Sequence, residues 1–239
     1  MAVYQLDDDL WFPDPRLGEP DGLVAIGGDL SRERLLLAYT NGFFPWYSYK
    51  FSPEPYWYCP MQRFVIFPKE IHISHSMKQL LKQERYTVTI NFDFEGVMHG
   101  CAETNNRNED QHAWLGPHII EAYTNLHREG FASSVEVWER RIDEEGYEYD
   151  DLVGGLYGIL INKVFIGESM FSRVPSASKI ALIHLARILE HNGYELIDCQ
   201  LETAHLRSMG GRFIPYEEYM SYLNPNYKEH YRKNNEGDL

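Results

Sequence analysis

The chain lacks any apolar run near the roughly 18 residues that cross a bilayer. Its opening, MAVYQLDDDLWFPDP, has neither the basic stretch nor the apolar core of a secretory leader. These absences set the expectation of a cytosolic protein with no membrane partner. Cysteine is scarce: Cys59, Cys101 and Cys199 are scattered, odd in number and without C-x-x-C spacing. That argues against a disulfide framework and against a zinc site, and leads us to expect free thiols. His72 and His75 are spaced for one helix face, but no third ligand lies within reach, so no metal is expected. Basic charge is also in deficit, with 22 Lys and Arg against 36 Asp and Glu and a net charge of −14. At face value this argues against a nucleic-acid partner, because phosphate binding shows as basic excess. No internal repeat is present.

The average hides an uneven distribution. Residues 139–151 (ERRIDEEGYEYDD) hold seven acids against two arginines and read as a solvated hairpin loop. Residues 63–86 carry five basic groups against two acidic ones, and residues 172–189 carry Arg173, Lys179 and Arg187 with no acid, each a net +3. Local basic surface is therefore available, either as solvated faces or as a phosphate contact.

The first sixty residues are rich in Pro, Gly and aromatics, with one helix signal: Ser31 caps RERLLLAYT, and Gly42 follows its end. Beyond Pro60 the pattern becomes regular. HISHSMKQLLKQ reads as a helix, YTVTINF as a strand, and IIEAYTNLHREG as a helix closed by Gly130. SSVEVWE, LVGGLYGILI and VFIGESMFS then read as strands of an antiparallel meander, the last two joined by a tight turn at Asn162-Lys163. PSASKIALIHLARILEHNG is the clearest helix, with Ser176 or Ser178 as its cap, and YELIDCQ is a strand laid parallel to an earlier one. The tail KEHYRKNNEGDL reads as a fraying end.

Two strands carry polar groups where apolar ones belong. Glu168 interrupts VFIGESMFS. In YELIDCQ the period of two places Leu196, Asp198 and Gln200 on one face and Ile197 and Cys199 on the other. A stranded carboxylate costs several kcal/mol in an apolar interior. Either Asp198 caps the next helix and Gln200 binds backbone, or the three groups converge on a site.

The strings LVGGLYGILI, FIGESMFSRVPSASKIAL and ELIDCQLETAHLRSMGGRFIP, with GLVAIGGDLSRERLLLAYTNGFFPWYS and PMQRFVIFP, resemble the leucyl/phenylalanyl-tRNA–protein transferase family. The resemblance runs from about Phe12 to about Leu223. It implies an α+β chain in which residues 1–62 form a small N-terminal domain. Residues 63–239 then form a GCN5-related acetyltransferase-like domain with a mixed, largely antiparallel sheet. It further implies transfer of Leu or Phe, and less readily Met, from aminoacyl-tRNA to proteins with N-terminal Arg or Lys, marking them for degradation. The enzyme is expected to act as a monomer in the cytosol.

Carried over by position, the resemblance puts Asp198 and Gln200 at the catalytic pair, with Glu168 lining the same pocket. Leu156, Phe165, Met170, Leu182 and Ile197 form the apolar pocket for the transferred side chain, with Trp114 beside the substrate. Arg63, Lys78, Arg173, Lys179 and Trp57 are candidate tRNA contacts. Trp46, Trp57, Tyr58 and Trp114 either stack on the terminal adenine or pack the core. The chain departs from the family pattern at Ser133, Ala113 and Tyr216 and in a longer loop before Trp114.

An aminoacyl ester is already activated, so amide formation needs neither cofactor nor metal; it needs a neutral amine held against the ester carbonyl. Asp198 is placed to hold the incoming ammonium and accept its proton, or only to orient it. Gln200 is placed to align the amine or steady the oxyanion, and Glu168 to anchor Gln200 or attract the cationic acceptor. An acetyl-CoA-dependent N-acetyltransferase of the same fold is the rival, but the segment where a glycine-rich pyrophosphate loop belongs reads SRVPSASK, with no glycine. A non-catalytic N-degron or tRNA adaptor is the third reading.

Overall fold

The computed structural model describes residues 3–46, 54–106 and 115–227. In chain order the elements are β1 (Tyr4–Leu6), β2 (Leu23–Gly27), α1 (Arg32–Thr40), β3 (Phe44–Trp46), β4 (Tyr56–Tyr58), β5 (Gln62–Ile66), α2 (His75–Leu81), β6 (Tyr86–Ile90), α3 (Phe94–Asn106) and α4 (Pro117–Arg128). They continue with β7 (Ala132–Ile142), β8 (Glu148–Ile161), β9 (Val164–Ser172), α5 (Ala177–His191), β10 (Leu196–Asp198), α6 (Ala204–Ser208), β11 (Arg212–Pro215) and α7 (Tyr216–Leu223).

Two sheets result. β1-β2-β4-β3 make a small sheet, and β11-β5-β10-β9-β8-β7-β6 make the large one. In the large sheet every neighbouring pair is antiparallel except β9 and β10, which run parallel through Leu196↔Val164 to Asp198↔Ile166. The architecture is thus α+β with a mixed, largely antiparallel sheet. Strand alternation sends Phe64, Ile66, Phe165 and Ile197 into one apolar layer under α5 and α2. Val65, Val164, Ile166 and Leu196 enter the layer on the other side, continuous with the core of the small sheet, α1, α3, α4 and α7.

Helix starts follow local chemistry. Ser31, Ser74 and Thr203 accept backbone N–H bonds at the heads of α1, α2 and α6. α5 differs from expectation: Ser176 has φ 71° and makes no side-chain cap, and the N–H of Ser178 instead donates to Ser172 Oγ at 2.8 Å, so the end of β9 caps the helix.

Two further expectations are corrected. The acidic stretch is not a loop, because β7 and β8 run on through it as a paired arm with Arg140 bound to Asp150 and Arg141 to Asp151, and the turn spans residues 143–147. Cross-strand ion pairs, not apolar contacts, hold that arm. His72 precedes α2 and does not share its face; its Nδ1 donates to the Ser208 carbonyl at 3.0 Å. The helix α3 has no forecast in the sequence reading at all. The three cysteines are free. Trp114, the loop before it and the tail from residue 228 lie outside the described residues. No helix among the described residues is long and apolar enough to cross a membrane.

Candidate active site

The site forms where the two parallel strands part. β10 ends at Asp198, opposite Ile166, while β9 continues through Gly167, Glu168 and Ser169. Ligand clefts open at such C-terminal strand ends because diverging backbones leave a crevice there. Gln200 turns sharply away with φ 60°, a left-handed conformation uncommon for a residue with a side chain. This corrects the period-of-two reading. Gln200 does not alternate with Asp198 along one strand face; it curls back over the strand end, its N–H donating to Asp198 Oδ1 at 2.8 Å and its Nε2 to Glu168 Oε1 at 3.0 Å. The strained turn is held at both ends.

Beneath this mouth lies a cavity of about 420 Å³. Leu156 from β8, Phe165 and Met170 from β9, Leu182 from α5 and Ile197 from β10 all line it, together with Leu185 and Leu206. Glu168, Asp198 and Gln200 border the same cavity. The eight residues assigned from sequence to catalysis and to the apolar pocket, Trp114 aside, therefore share one space.

Asp198 is fully buried. Its Oδ2 accepts from Arg63 Nε at 2.9 Å and from Tyr219 OH at 2.8 Å, and its Oδ1 takes the Gln200 N–H. Arg63 is 1% exposed, donates from Nη2 to the Gly42 carbonyl at 2.6 Å, and lies between the rings of Phe44 and Tyr219 at 4.9 and 4.5 Å. Burial works against the Arg63 charge, yet the Asp198 carboxylate raises its pKa above the ordinary value. This overturns the assignment of Arg63 to tRNA contact: no phosphate reaches a guanidinium sealed under two rings.

Glu168 is half-buried and, among the described residues, has no cation in hydrogen-bond contact. Its Oε2 accepts from Tyr123 OH at 3.2 Å, and Tyr123 shares a short hydrogen bond with Tyr39. Burial pushes the Glu168 carboxyl up to about 7; the Tyr39 and Tyr123 hydroxyls pull it down, and the Asp198 charge adds to the rise. The two tyrosines stay protonated, because burial and then the Glu168 charge raise Tyr123, and burial leads in Tyr39 also.

The other candidate nucleic-acid contacts scatter. Trp57 is fully buried, donates from Nε1 to the Gly27 carbonyl at 2.9 Å and packs edge-on against Phe12, so it is core and not a stacking platform. Arg173 is exposed but tethered to Glu103 and the Leu152 carbonyl, each at 2.8 Å. Lys78 is exposed on α2, and Lys179 is half-buried on the first turn of α5. Among the described residues no cluster of three or more metal-ligating side chains occurs.

Sequence reasoning missed Tyr39, Tyr123 and Tyr219. The tyrosines sit at apolar positions of their helices, and a tyrosine there reads as packing. Arg63 carried a signal that was misread: it lies in the apolar run RFVIF on the same strand face as Val65, and a charge on a buried face needs a partner.

A pocket apolar at its base, with a desolvated carboxylate and a locked amide at its mouth, is the layout of an enzyme that grips an apolar group and does chemistry beside it. The family model for leucyl/phenylalanyl-tRNA protein transferase matches residues 65–224, and the model for that family's N-terminal domain matches residues 28–61. The chain belongs to the leucyl/phenylalanyl-tRNA–protein transferase family. It is 47% identical to a leucyl/phenylalanyl-tRNA–protein transferase of Syntrophobacter fumaroxidans over 229 residues, covering 96% of this chain and 93% of the relative. It is 48% identical to one from Nitrosomonas eutropha over 223 residues, covering 92% and 90%. Among solved structures, that of FemX aligns with a TM-score of 0.46 at 10% identity, covering 77% of this chain and 66% of FemX.

Proposed function

We propose that this chain carries the activity its family is named for, moving a leucyl or phenylalanyl group, and less readily methionyl, from aminoacyl-tRNA to the α-amine of proteins that begin with Arg or Lys. The observation that supports this best is the apolar cavity of about 420 Å³ opening on the Glu168–Gln200 pair. The cavity takes the transferred side chain, and the ester then lies at its mouth. Leu, Phe and Met fit such a space, since an apolar pocket separates side chains by only about 1–3 kcal/mol per methylene.

The two carboxylates divide the work. Both Asp198 oxygens are taken by Arg63, Tyr219 and the Gln200 N–H, so Asp198 fixes the strained turn and is no proton acceptor. Glu168, with a pKa of about 7 and neutral donors, is matched to accept a proton at neutral pH. An incoming α-amine, ordinarily titrating near 8, loses one proton to the medium. Its lone pair attacks the ester carbonyl, the C–N bond forms and the nitrogen passes its second proton to Glu168. The C–O bond to the ribose breaks, and the departing oxygen takes up a proton. The negative mouth also favours a cationic acceptor side chain, in keeping with Arg or Lys at the N-terminus.

Of the basic residues, Lys78, Arg173 and Lys179 are kept as tRNA contacts. The reading also keeps residues 1–62 as a small N-terminal domain against an acetyltransferase-like domain at 63–239, a cytosolic location, and a monomer. The test is direct: labelled Leu-tRNA is incubated with the protein and a peptide beginning with Arg, with an Asp-initiated peptide as control. Label in the Arg peptide alone is expected, and label in neither peptide overturns the reading.

A further inference from the structure

A second cavity, of about 350 Å³, adjoins the first beneath α5. Phe165 and Leu185 line both, and the order of residues on three elements shows how the two spaces lie. Along α5, Leu182 lines the first cavity, Leu185 both, and Ile188 and Asn192 the second. On β8, Leu156 lines the first, while Leu160, the cross-strand partner of Phe165 on β9, lines the second. The cavities are therefore end to end between helix and sheet, with Phe165 and Leu185 as the wall between them. The first opens at the Glu168–Gln200 mouth, and the second ends at Ile90 and Asn192, both exposed.

The wall is tightly seated. Phe165 is 1% exposed and Leu185 5%. The Phe165 ring lies on the bare backbone of Gly158, where a Cβ would come within 2.6 Å of ring atoms Cε1 and Cζ, so the ring has no room to drop toward β8. Close-packed side chains of this kind resist displacement. Strand geometry sets how deep the wall stands: Phe165 precedes Glu168 by three residues on β9, about 10 Å at the rise of a strand. A leucyl, methionyl or phenylalanyl side chain whose ester sits at the mouth ends within that depth. A second ring in line with the first overruns it.

Resting on the function proposed above, we propose that Phe165 and Leu185 are the length stop of the aminoacyl pocket, and that the cavity behind them is a latent subsite for an apolar, aromatic extension of the transferred side chain. Val135, Leu160, Ile188 and Leu189 make that subsite apolar, so a hydrocarbon ring suits it. Selection against long side chains then belongs to two residues, not to the volume of the pocket as a whole.

The test uses the full chain, an Arg-initiated peptide, and one tRNA charged either with leucine or chemically with 4-phenylphenylalanine. The wild type should transfer the long residue roughly 10- to 200-fold less efficiently in kcat/KM than leucine, the range for misfit in an apolar pocket. Leu185→Ala, and the milder Phe165→Leu, should each raise the long residue at least about tenfold relative to leucine, with folding checked by thermal melts. Ser133 lines only the second cavity, from the β7 side. Ser133→Phe should leave leucine transfer by the wild type unchanged, yet cancel the gain when added to Leu185→Ala. Wild-type transfer of the long residue within threefold of leucine overturns the proposal without any variant. So does a folded Leu185→Ala or Phe165→Leu without the gain, or a gain that survives Ser133→Phe. Absence of leucine transfer by the wild type rejects the broader function and is distinguishable from all of these.

Discussion

The two sides of the pocket mouth offer a carboxylate each and treat it in opposite ways. On the β10 side Asp198 is sealed, with an arginine and a tyrosine on one oxygen and a backbone N–H on the other. On the β9 side Glu168 meets an amide and the hydroxyls of Tyr123 and Tyr39, is half-buried, and has its pKa pushed up to about 7. A buried charge with a good partner is a structural element whose removal is felt as instability, whereas a desolvated carboxylate with neutral donors keeps a proton close to hand. Chemical type is the same; in the mechanism we propose, environment assigns the roles.

The largest effect separating them should be on rate. Glu168→Gln keeps an acceptor for Gln200 but removes the proton acceptor. Transfer should fall by about two to four decades, with stability within about 1 kcal/mol of wild type, read by single-turnover transfer beside urea denaturation. A variant within threefold of the wild-type rate breaks the comparison on the Glu168 side. Next comes stability: Arg63→Ala leaves Asp198 buried without its cation, and unfolding free energy should drop by about 3–5 kcal/mol. A loss under about 1 kcal/mol in the same denaturation experiment would mean that Asp198 is not held as described. The smallest effect belongs to the base shared by both sides. Met170→Ala enlarges the cavity from a half-buried position and should shift competition between Leu-tRNA and Phe-tRNA toward Phe by a factor of about 10. An unchanged ratio in folded protein would remove Met170 from the side-chain pocket.

Much of this site was legible in the chain. Glu168, Asp198 and Gln200 stood out because polar groups at core strand positions are costly, and the five apolar pocket residues followed from the family resemblance. The meander β7-β8-β9 and the helix α5 were readable from period-two and helical spacing. What escaped was set by tertiary context. Arg63 counted as surface charge because a linear pattern cannot show that both faces of β5 are covered. Tyr39 and Tyr123 come from helices distant in sequence, and only packing brings their hydroxyls to Glu168. The curl at Gln200 depends on one hydrogen bond inside its own segment, to Asp198, and on one from outside it, to Glu168. The acidic arm looked like loop because its cross-strand ion pairs do the work that apolar alternation usually does.

The central claim is that Glu168, and not Asp198, takes the proton, and the pH dependence of transfer at saturating substrates tests it most directly. For the wild type, the rate should rise with pH through a limb near 7, as Glu168 ionises and becomes able to accept. Asp198→Asn should retain that limb but displace it to lower pH, because the Asp198 charge helps raise Glu168. Glu168→Gln should lack the limb altogether, leaving only the ionisation of the amine. A limb near 7 that persists in Glu168→Gln, or that disappears in a folded Asp198→Asn, would contradict the account.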